Sequence, residues 1–208
     1  MTKVWLRKCN DRRSPLALRT GICRIPRVSL IVICWFLFNG FSAALPLSGQ
    51  SAEYPVKLAV LYNFTKFIEW PADSYSYPSA PLAICVVGHD PFSPEMEKGL
   101  QIRKAGEHPI QVLALKPSET LDVCHMVFIP VTERDQEGKI VRSLKGTNIL
   151  TVGEADGFAE MGGVINLTVE NSGIHFEINR LAAERAHLKI SAQLLSLAKI
   201  VTEHDPAR

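Results

Sequence analysis

The sequence lacks the short motifs that mark the commonest catalytic sites. It contains no G-x-S-x-G nucleophile elbow and no Walker phosphate loop. One match to a serine acylase motif, Ser196-x-x-Lys199, lacks its S-D-N and K-T-G companions and lies in a leucine-rich helical pattern. Because no nucleophile stands in a recognisable catalytic context, we predict that the protein is not an enzyme.

Metal-ligand spacing is missing as well. The six histidines are His89, His108, His125, His175, His187 and His204. Their positions do not follow the short repeated spacings of zinc and other metal sites. We therefore predict no metal site and no cofactor.

The sequence also lacks an apolar run long enough to span a membrane comfortably, which takes about 20 residues. Val28–Phe38 is apolar over about 11 residues, follows the basic stretch Met1–Arg27, and precedes the small residues Ser42, Ala43 and Ala44. This pattern predicts a signal peptide over residues 1–44, and hence an exported chain. A retained N-terminal anchor is the alternative.

An excess of basic charge is absent once the leader is set aside. The whole chain has a formal net charge of +2, with 23 basic and 21 acidic residues. Residues 45–208 alone carry 15 basic and 20 acidic residues, a net charge of about −5. The balance gives no reason to expect nucleic-acid binding. We predict a flexible tether over residues 45–52 and one folded domain over residues 53–208.

Cysteine is scarce in that domain. Only Cys85 and Cys124 follow the leader, and both lie in or beside apolar runs typical of strands. An even pair in an exported chain favours a disulfide, with two buried free thiols as the alternative.

The chain is organised around an apolar helix, predicted over Val56–Pro71. Its apolar residues follow helical spacing, and Pro71 ends it. Strand patterns follow at Leu82–Gly88, Pro109–Leu115, His125–Pro130 and Thr147–Gly153, then in a hairpin through Val164–Asn179. Helical patterns begin near Ser93, Thr132, Arg180 and Ser191. The alternation predicts an α/β domain with a mixed β-sheet flanked by helices on both faces.

Four segments in this order resemble the YfiR family of periplasmic proteins. They read YNFTKFIEWP, AICVVGHDPF, ILTVGEADGFAEMGGVINLTVENSGIHFEIN and SAQLLSLAKIV. The resemblance implies a single Rossmann-like domain, a homodimer and a non-enzymatic role. It also implies that Cys85 and Cys124 are a family cysteine pair. Ala159 and Asn166 stand where some relatives have a second pair, so that second bridge is absent here.

The resemblance further implies two partners. One is the periplasmic domain of a membrane diguanylate cyclase, which the protein would repress through this sensor domain. The other is an outer-membrane lipoprotein that would relieve the repression by sequestering the repressor. The predicted function is therefore that of a periplasmic regulatory binding protein in cyclic-di-GMP signalling.

A small-ligand sensing protein is the alternative function. In open α/β sheets, ligands collect beyond the carboxyl ends of strands at a switch point in strand order. The Gly88–Phe92 loop leaves such a strand and leads into a helix N-terminus that could receive an anion. The candidate ligand-binding residues are His89, Asp90 and Phe92. The opposing interpretation is a turn in which Asp90 caps backbone N–H groups.

A partner surface is predicted on the last strand of the hairpin and in the loop after the first helix. Alternation places Ile174, Phe176 and Ile178 on one face and His175, Glu177 and Asn179 on the other. The second row is either a solvated face or part of a protein contact. The partner-binding candidates are His175, Glu177, Asn179, Arg180, Arg185, Tyr75 and Tyr77.

Overall fold

A computed structural model of the chain describes residues 50–170 and 173–203. The predicted signal peptide, residues 45–49 of the predicted tether and the hairpin tip at residues 171–172 lie outside the described residues. In the described ranges, no helix is long and apolar enough to cross a membrane.

The described chain forms helices on both sides of a large sheet. The helices are α1 (Gln50–Phe67), α2 (Pro94–Gln101), α3 (Arg134–Ser143), α4 (Arg180–Arg185) and α5 (Ala192–Leu197). The strands are β1 (Ile68–Glu69), β2 (Leu82–Val87), β3 (Lys104–Ala105), β4 (His108–Leu115), β5 (Met126–Ile129), β6 (Leu150–Gly153), β7 (Ile165–Glu170), β8 (Gly173–Asn179), β9 (Lys189–Ile190) and β10 (Lys199–Val201).

The main sheet has eight strands in the order β10-β8-β7-β6-β5-β2-β4-β3. Five pairs of neighbouring strands are parallel: β10/β8, β7/β6, β6/β5, β5/β2 and β2/β4. The β7/β8 hairpin and the short β3 edge are antiparallel. This arrangement confirms the predicted single α/β domain with a mixed sheet.

Strand β2 shows why the sheet needs cover on both faces. All six of its residues are buried, as expected for a continuous apolar run in a central parallel strand. Ile84 and Val86 face a core layer that includes residues of α1, α2, α4 and α5. Cys85 and Val87 face a second layer built with α3. Helices therefore lie on both faces, as predicted.

Helix α1 packs on the first of these layers through its apolar stripe. Leu61 and Phe64 are buried, and the Phe64 ring meets the Phe176 ring edge-on at a centroid distance of 5.3 Å. The helix begins earlier than predicted, because Gln50–Ala52, assigned to the tether, are helical. It also ends earlier, at Phe67, because Ile68–Glu69 pairs as a strand with β9.

The C-terminal segment departs most from the sequence prediction. The helical pattern that begins near Ser191 predicts a single helix that continues past Leu197. Instead α5 ends at Leu197, which is largely exposed, and Lys199–Val201 adds a strand parallel to β8. The backbone hydrogen bonds available along β8 outweigh helix continuation here.

The Cys85–Cys124 disulfide is present. The two residues are 39 positions apart in sequence, with a Cα–Cα distance of 5.8 Å. Cys85 lies in the middle of β2, and Cys124 lies just before the neighbouring strand β5. The bridge therefore joins adjacent parts of the core on the α3 face.

Candidate functional site

Strand order changes direction between β2 and β5. From β2 the chain passes to β4 on one side and then returns to β5 on the other side. In open α/β folds, the crevice at the carboxyl ends of two such strands is the usual ligand site. We call the region beyond the carboxyl ends of β2, β5 and β6 the switch-point crevice.

The mouth of this crevice is closed at Gly88 by Glu133. Gly88 has a left-handed backbone conformation, with φ of 81°. A side chain at this position would collide with the Glu133 carboxylate and its carbon chain. Glycine is required here for two reasons. Its backbone adopts the left-handed conformation without strain, and it has no Cβ to collide with Glu133.

Aromatic rings fill the next part of the crevice. Phe92 is buried and stacks on Phe128 of β5 at a centroid distance of 5.7 Å. Tyr54 of α1 meets the Phe92 ring edge-on at 6.1 Å. Phe92 is thus a core residue, and its role in ligand binding stays a prediction that its burial disfavours.

Asp90 takes the turn-forming role that was the opposing interpretation. Its Oδ1 accepts a hydrogen bond from the Phe92 N–H at 2.8 Å, while Ser93 caps α2 by accepting from the Met96 N–H. Burial and a hydrogen bond to Asp90 raise the pKa of Glu97. Two carboxyl groups thus lie at the start of α2, which disfavours the binding of an anion there. His89 is exposed beside them.

A buried cation from α1 completes the filling of the crevice. Lys57 is 4% exposed, and its Nζ forms ion pairs with Glu53 and with Glu154, which follows β6. Glu154 Oε2 also accepts from the Val131 N–H, at 3.0 Å, just beyond β5. Burial opposes the charge of Lys57, but the hydrogen bonds to the two glutamates outweigh it and raise its pKa. A buried pair of this kind is costly to break.

Glu137 is the second carboxylate buried near this crevice. It lies in the first turn of α3 and is 1% exposed. Burial, partly offset by the Ala155 backbone and by Arg134, raises its pKa to about 7, and the charge of Glu154 adds to the rise. Neither Glu137 nor Lys57 was singled out from the sequence. The available signal was a lysine inside the apolar stripe of α1.

The predicted partner row on β8 is only partly exposed. Asn179 is fully buried, accepts from the Ala182 N–H at 3.0 Å, and donates to Ala159 O at 2.7 Å. Its prediction as an outward-facing contact residue is wrong, because it caps α4. His175 is exposed on the same row.

Glu177 is also held by its neighbours. Its carboxylate pairs with Lys199 at 2.7 Å and accepts from Asn166 at 3.3 Å. The hydrogen bond from Lys199 lowers the pKa of Glu177 despite its partial burial. Arg185 pairs with Glu203. Substituting Glu177 or Arg185 would therefore break an ion pair within the domain. Arg180 is largely exposed.

The two loop tyrosines have different environments. Tyr75 is half-buried, with its ring stacked 3.8 Å from the His108 ring and 4.7 Å from the His125 ring, and burial raises its pKa. Burial lowers the pKa of His125, whose Nδ1 accepts from the Ala83 N–H. Tyr75 is thus less exposed than predicted, whereas Tyr77 is 55% exposed. The role of either tyrosine as a partner contact stays a prediction.

Metal binding finds no support in the part of the chain that the structure describes. No three side chains of His, Cys, Asp or Glu come together there in a way that could hold a metal ion. Chemically, the switch-point crevice is a packed and ion-paired core region.

Comparison with known proteins identifies a family. A family model described as YfiR/HmsC-like matches residues 54–199. Two solved structures are similar in part. One is an ABC domain in complex with L-Trp from Streptococcus pneumonia (12% identity, 58% of this chain, 55% of that chain, TM-score 0.40). The other is a conserved domain protein from Vibrio cholerae O1 biovar eltor (15% identity, 57% and 54%, TM-score 0.43). The chain spans little more than half the length of each.

Proposed function

This chain belongs to the YfiR/HmsC-like family, and we propose from that premise that it is a periplasmic regulatory protein that restrains a membrane diguanylate cyclase. The match covers residues 54–199, which is nearly all of the described domain. The family is regulatory and belongs to cyclic-di-GMP signalling. The cyclase would be bound through its periplasmic sensor domain.

The observation that carries a binding role, rather than a catalytic or ligand-sensing one, is the filled switch-point crevice. Phe92 and Lys57 occupy space that a nucleotide or small ligand would need in an open α/β fold. Displacing Lys57 would leave Glu154 buried without its cation, at a cost of several kcal/mol. Core side chains thus occupy the usual ligand site of the fold. A partner would therefore be bound on the surface of the domain.

The regulation would act by a shift in population. A protein that binds the inactive conformation of the sensor domain more tightly than the active one lowers cyclase output by that difference in affinity. A tenfold preference corresponds to about 1.4 kcal/mol. No chemical step in this protein is needed.

The disulfide supports a periplasmic location. Cys85 and Cys124 are bridged, and structural disulfides persist in oxidising compartments such as the periplasm. The predicted signal peptide over residues 1–44 would deliver the chain there.

The other predicted partners belong to this proposal as well. An outer-membrane lipoprotein would sequester the repressor, and the chain would form a homodimer. Of the predicted contact residues, the exposed ones are His175, Arg180 and Tyr77. The first two lie on and just after β8 and Tyr77 lies in the loop before β2. These three remain the exposed candidates, since Asn179 and Tyr75 make contacts within the domain.

Co-expression tests the proposed function directly. The full chain is expressed in a bacterial host that lacks its own cyclases, together with each membrane diguanylate cyclase of the source cell that has a periplasmic domain. We expect the chain to lower the cellular cyclic-di-GMP level with one of these cyclases, measured by mass spectrometry of cell extracts.

Deleting the periplasmic domain of that cyclase provides the control. The truncated cyclase should keep its activity and lose its response to the chain. An unchanged cyclic-di-GMP level in every pairing, or equal repression of the truncated enzyme, would contradict the proposal.

A further inference from the structure

An open groove lies between α1 and α2, away from the switch-point crevice. Its volume is about 430 Å³. Leu58 and Leu100, both buried, and the half-buried Met96 contribute an apolar floor. Ala59 and Gly99 line it with little or no side chain. A Cβ atom added at Gly99 would meet nothing within 4 Å, so this wall has free space in front of it.

The rim of the groove is cationic. The Tyr62 ring holds Lys66 Nζ at 4.2 Å from its centroid and Arg103 Cζ at 5.3 Å. The Tyr62 hydroxyl donates to Lys104 O at 3.2 Å, which positions the ring. These cation–π contacts keep the two charges near the aromatic wall.

The charge of the groove is opposite to that of the domain around it. Its lining includes Lys66 and Arg103 and no carboxylate. The described residues as a whole contain 14 basic and 19 acidic side chains, a net charge of about −5. A local positive rim around an apolar floor on an acidic domain selects an occupant that is apolar and negatively charged.

The shape favours a helix over a small molecule. Ligand pockets usually bury about 70–90% of a small ligand. Here most of the lining residues are themselves exposed, including Pro55, Ala59, Asn63 and Gly99. Such an open groove would leave a small ligand largely in water. A groove between two helices with small residues in its wall suits the ridge of a third helix.

We propose that the groove between α1 and α2 binds an amphipathic helix of a partner protein, with carboxylates beside the apolar face of that helix. The apolar side chains lie on Leu58, Met96 and Leu100, and the carboxylates pair with Lys66 and Arg103. This inference deepens the proposed function and rests on it, because the partner helix would belong to the regulated membrane protein.

A synthetic peptide tests the chemistry without that partner. The peptide has about 18 residues, long enough for helix formation, with leucines on one face, glutamates on both flanks, and a fluorophore. A matched peptide has glutamine at every glutamate position. We expect the protein, expressed from the full chain, to bind the acidic peptide about tenfold more tightly than the glutamine peptide. Raising NaCl from about 50 to about 500 mM should remove that difference.

Two groove variants locate the site. Ala59→Trp fills the groove with an indole, and Lys66→Glu with Arg103→Glu reverses its charge. Both should weaken binding of the acidic peptide about tenfold or more. The matched control, Lys116→Glu with Lys139→Glu, makes the same change in net charge at exposed positions outside the groove lining and should bind as wild type. Melting curves check that all three variants are folded.

The outcomes separate this inference from the proposed function. Equal binding of the two peptides, or binding that Ala59→Trp leaves unchanged, overturns the groove assignment. So does self-association of the chain that Ala59→Trp abolishes, since the occupant would then be a second copy. If the wild type represses a cyclase and both groove variants repress it equally, the proposed function stands and the groove inference falls. If the acidic peptide binds in the groove and no cyclase responds, the proposed function falls and the recognition chemistry stands.

Discussion

At the carboxyl ends of the parallel strands, the protein fills its own crevice with side chains, whereas between α1 and α2 it leaves a groove open to solvent. One helix separates the two. Lys57 of α1 is buried against Glu154 in the crevice, and Ala59, Tyr62 and Lys66 of the same helix line the groove. The two regions also differ in charge, with a buried network of carboxylates around one lysine on one side and cations alone on the other.

The two regions differ in how their charges are neutralised. Charge in the crevice is neutralised internally, so removing one partner costs stability. Charge around the groove is solvated, so changing it affects stability little and recognition more. The four predictions below test this contrast, beginning with the largest expected effect.

Lys57→Met should be the most damaging change. It leaves Glu154 buried without its cation, and we expect a loss of about 3–5 kcal/mol in the free energy of unfolding, measured with urea. The double variant Lys57→Met with Glu154→Leu should recover most of that loss, because an apolar pair needs no neutralisation. If the single variant is as stable as wild type, the crevice is hydrated and the contrast with the groove fails.

Removal of the disulfide should cost somewhat less and should affect neither region. Cys85→Ala with Cys124→Ala opens a loop that spans 39 positions, for which a loss of about 2–4 kcal/mol is typical. The bridge lies in the α3 layer, on the other face of the sheet from α1 and α2. Binding of the acidic peptide should therefore be unchanged at temperatures where the variant is folded. A loss of binding in the folded variant would show that the two faces are coupled.

Glu137 should make the crevice region sensitive to pH. Its pKa rises from 4.5 to about 7 in the folded protein, through burial, with Arg134 opposing and Glu154 adding to the rise. The folded state keeps a proton that the unfolded state releases, so this group destabilises the protein as pH rises from about 5 to 7 and most above 7. Glu137→Gln should therefore be about 1–3 kcal/mol more stable than wild type at pH 8, and no more stable at pH 4.

Denaturant titrations of both proteins at several pH values measure this effect. Comparing them at each pH cancels the titration of the other groups, including Glu177 and His125. A stability difference that is independent of pH would mean that Glu137 does not titrate in this range.

The groove substitutions should have the smallest effect on stability. Ala59 and Lys66 are exposed, and exposed substitutions usually change stability by no more than about 0.5 kcal/mol. Ala59→Trp should thus melt within a few degrees of wild type while peptide binding falls. Destabilisation as large as that of Lys57→Met would show that Ala59 belongs to the packed core and that the groove is closed in solution.

Local patterns predicted most of the sheet and part of the candidate sites. The apolar run Leu82–Val87 predicted burial on both faces, and it is an interior strand of the sheet with all six residues buried. The location of a crevice near Gly88 also followed from local signals, since a strand-to-helix turn shows in the sequence. What fills that crevice did not, because Lys57 and Glu154 are about 100 positions apart and only the fold brings them together.

Strand alternation failed where a strand ends. The strand period of two placed Asn179 on the outward-facing row. The residue is also the N-cap of α4, and its side-chain amide accepts from the Ala182 N–H and donates to Ala159 O. The expected exposure of Tyr75 was not found for a similar reason. Its ring stacks on His108 and His125, which come from segments far along the chain. In both cases the local sequence predicted exposure, and tertiary contacts buried the side chain wholly or in part.

The sequence by itself determined the α/β class, which two cysteines could pair, and the helix on which the domain is organised. Apolar periodicity is a property of short segments, and only two cysteines follow the predicted leader. The tertiary structure alone decided that Lys199–Val201 is a strand, that Lys57 is buried, and that a cationic groove opens between α1 and α2. Strand pairing, neutralisation of buried charge and surface shape depend on groups far apart in sequence, and folding is what brings these groups within reach of one another.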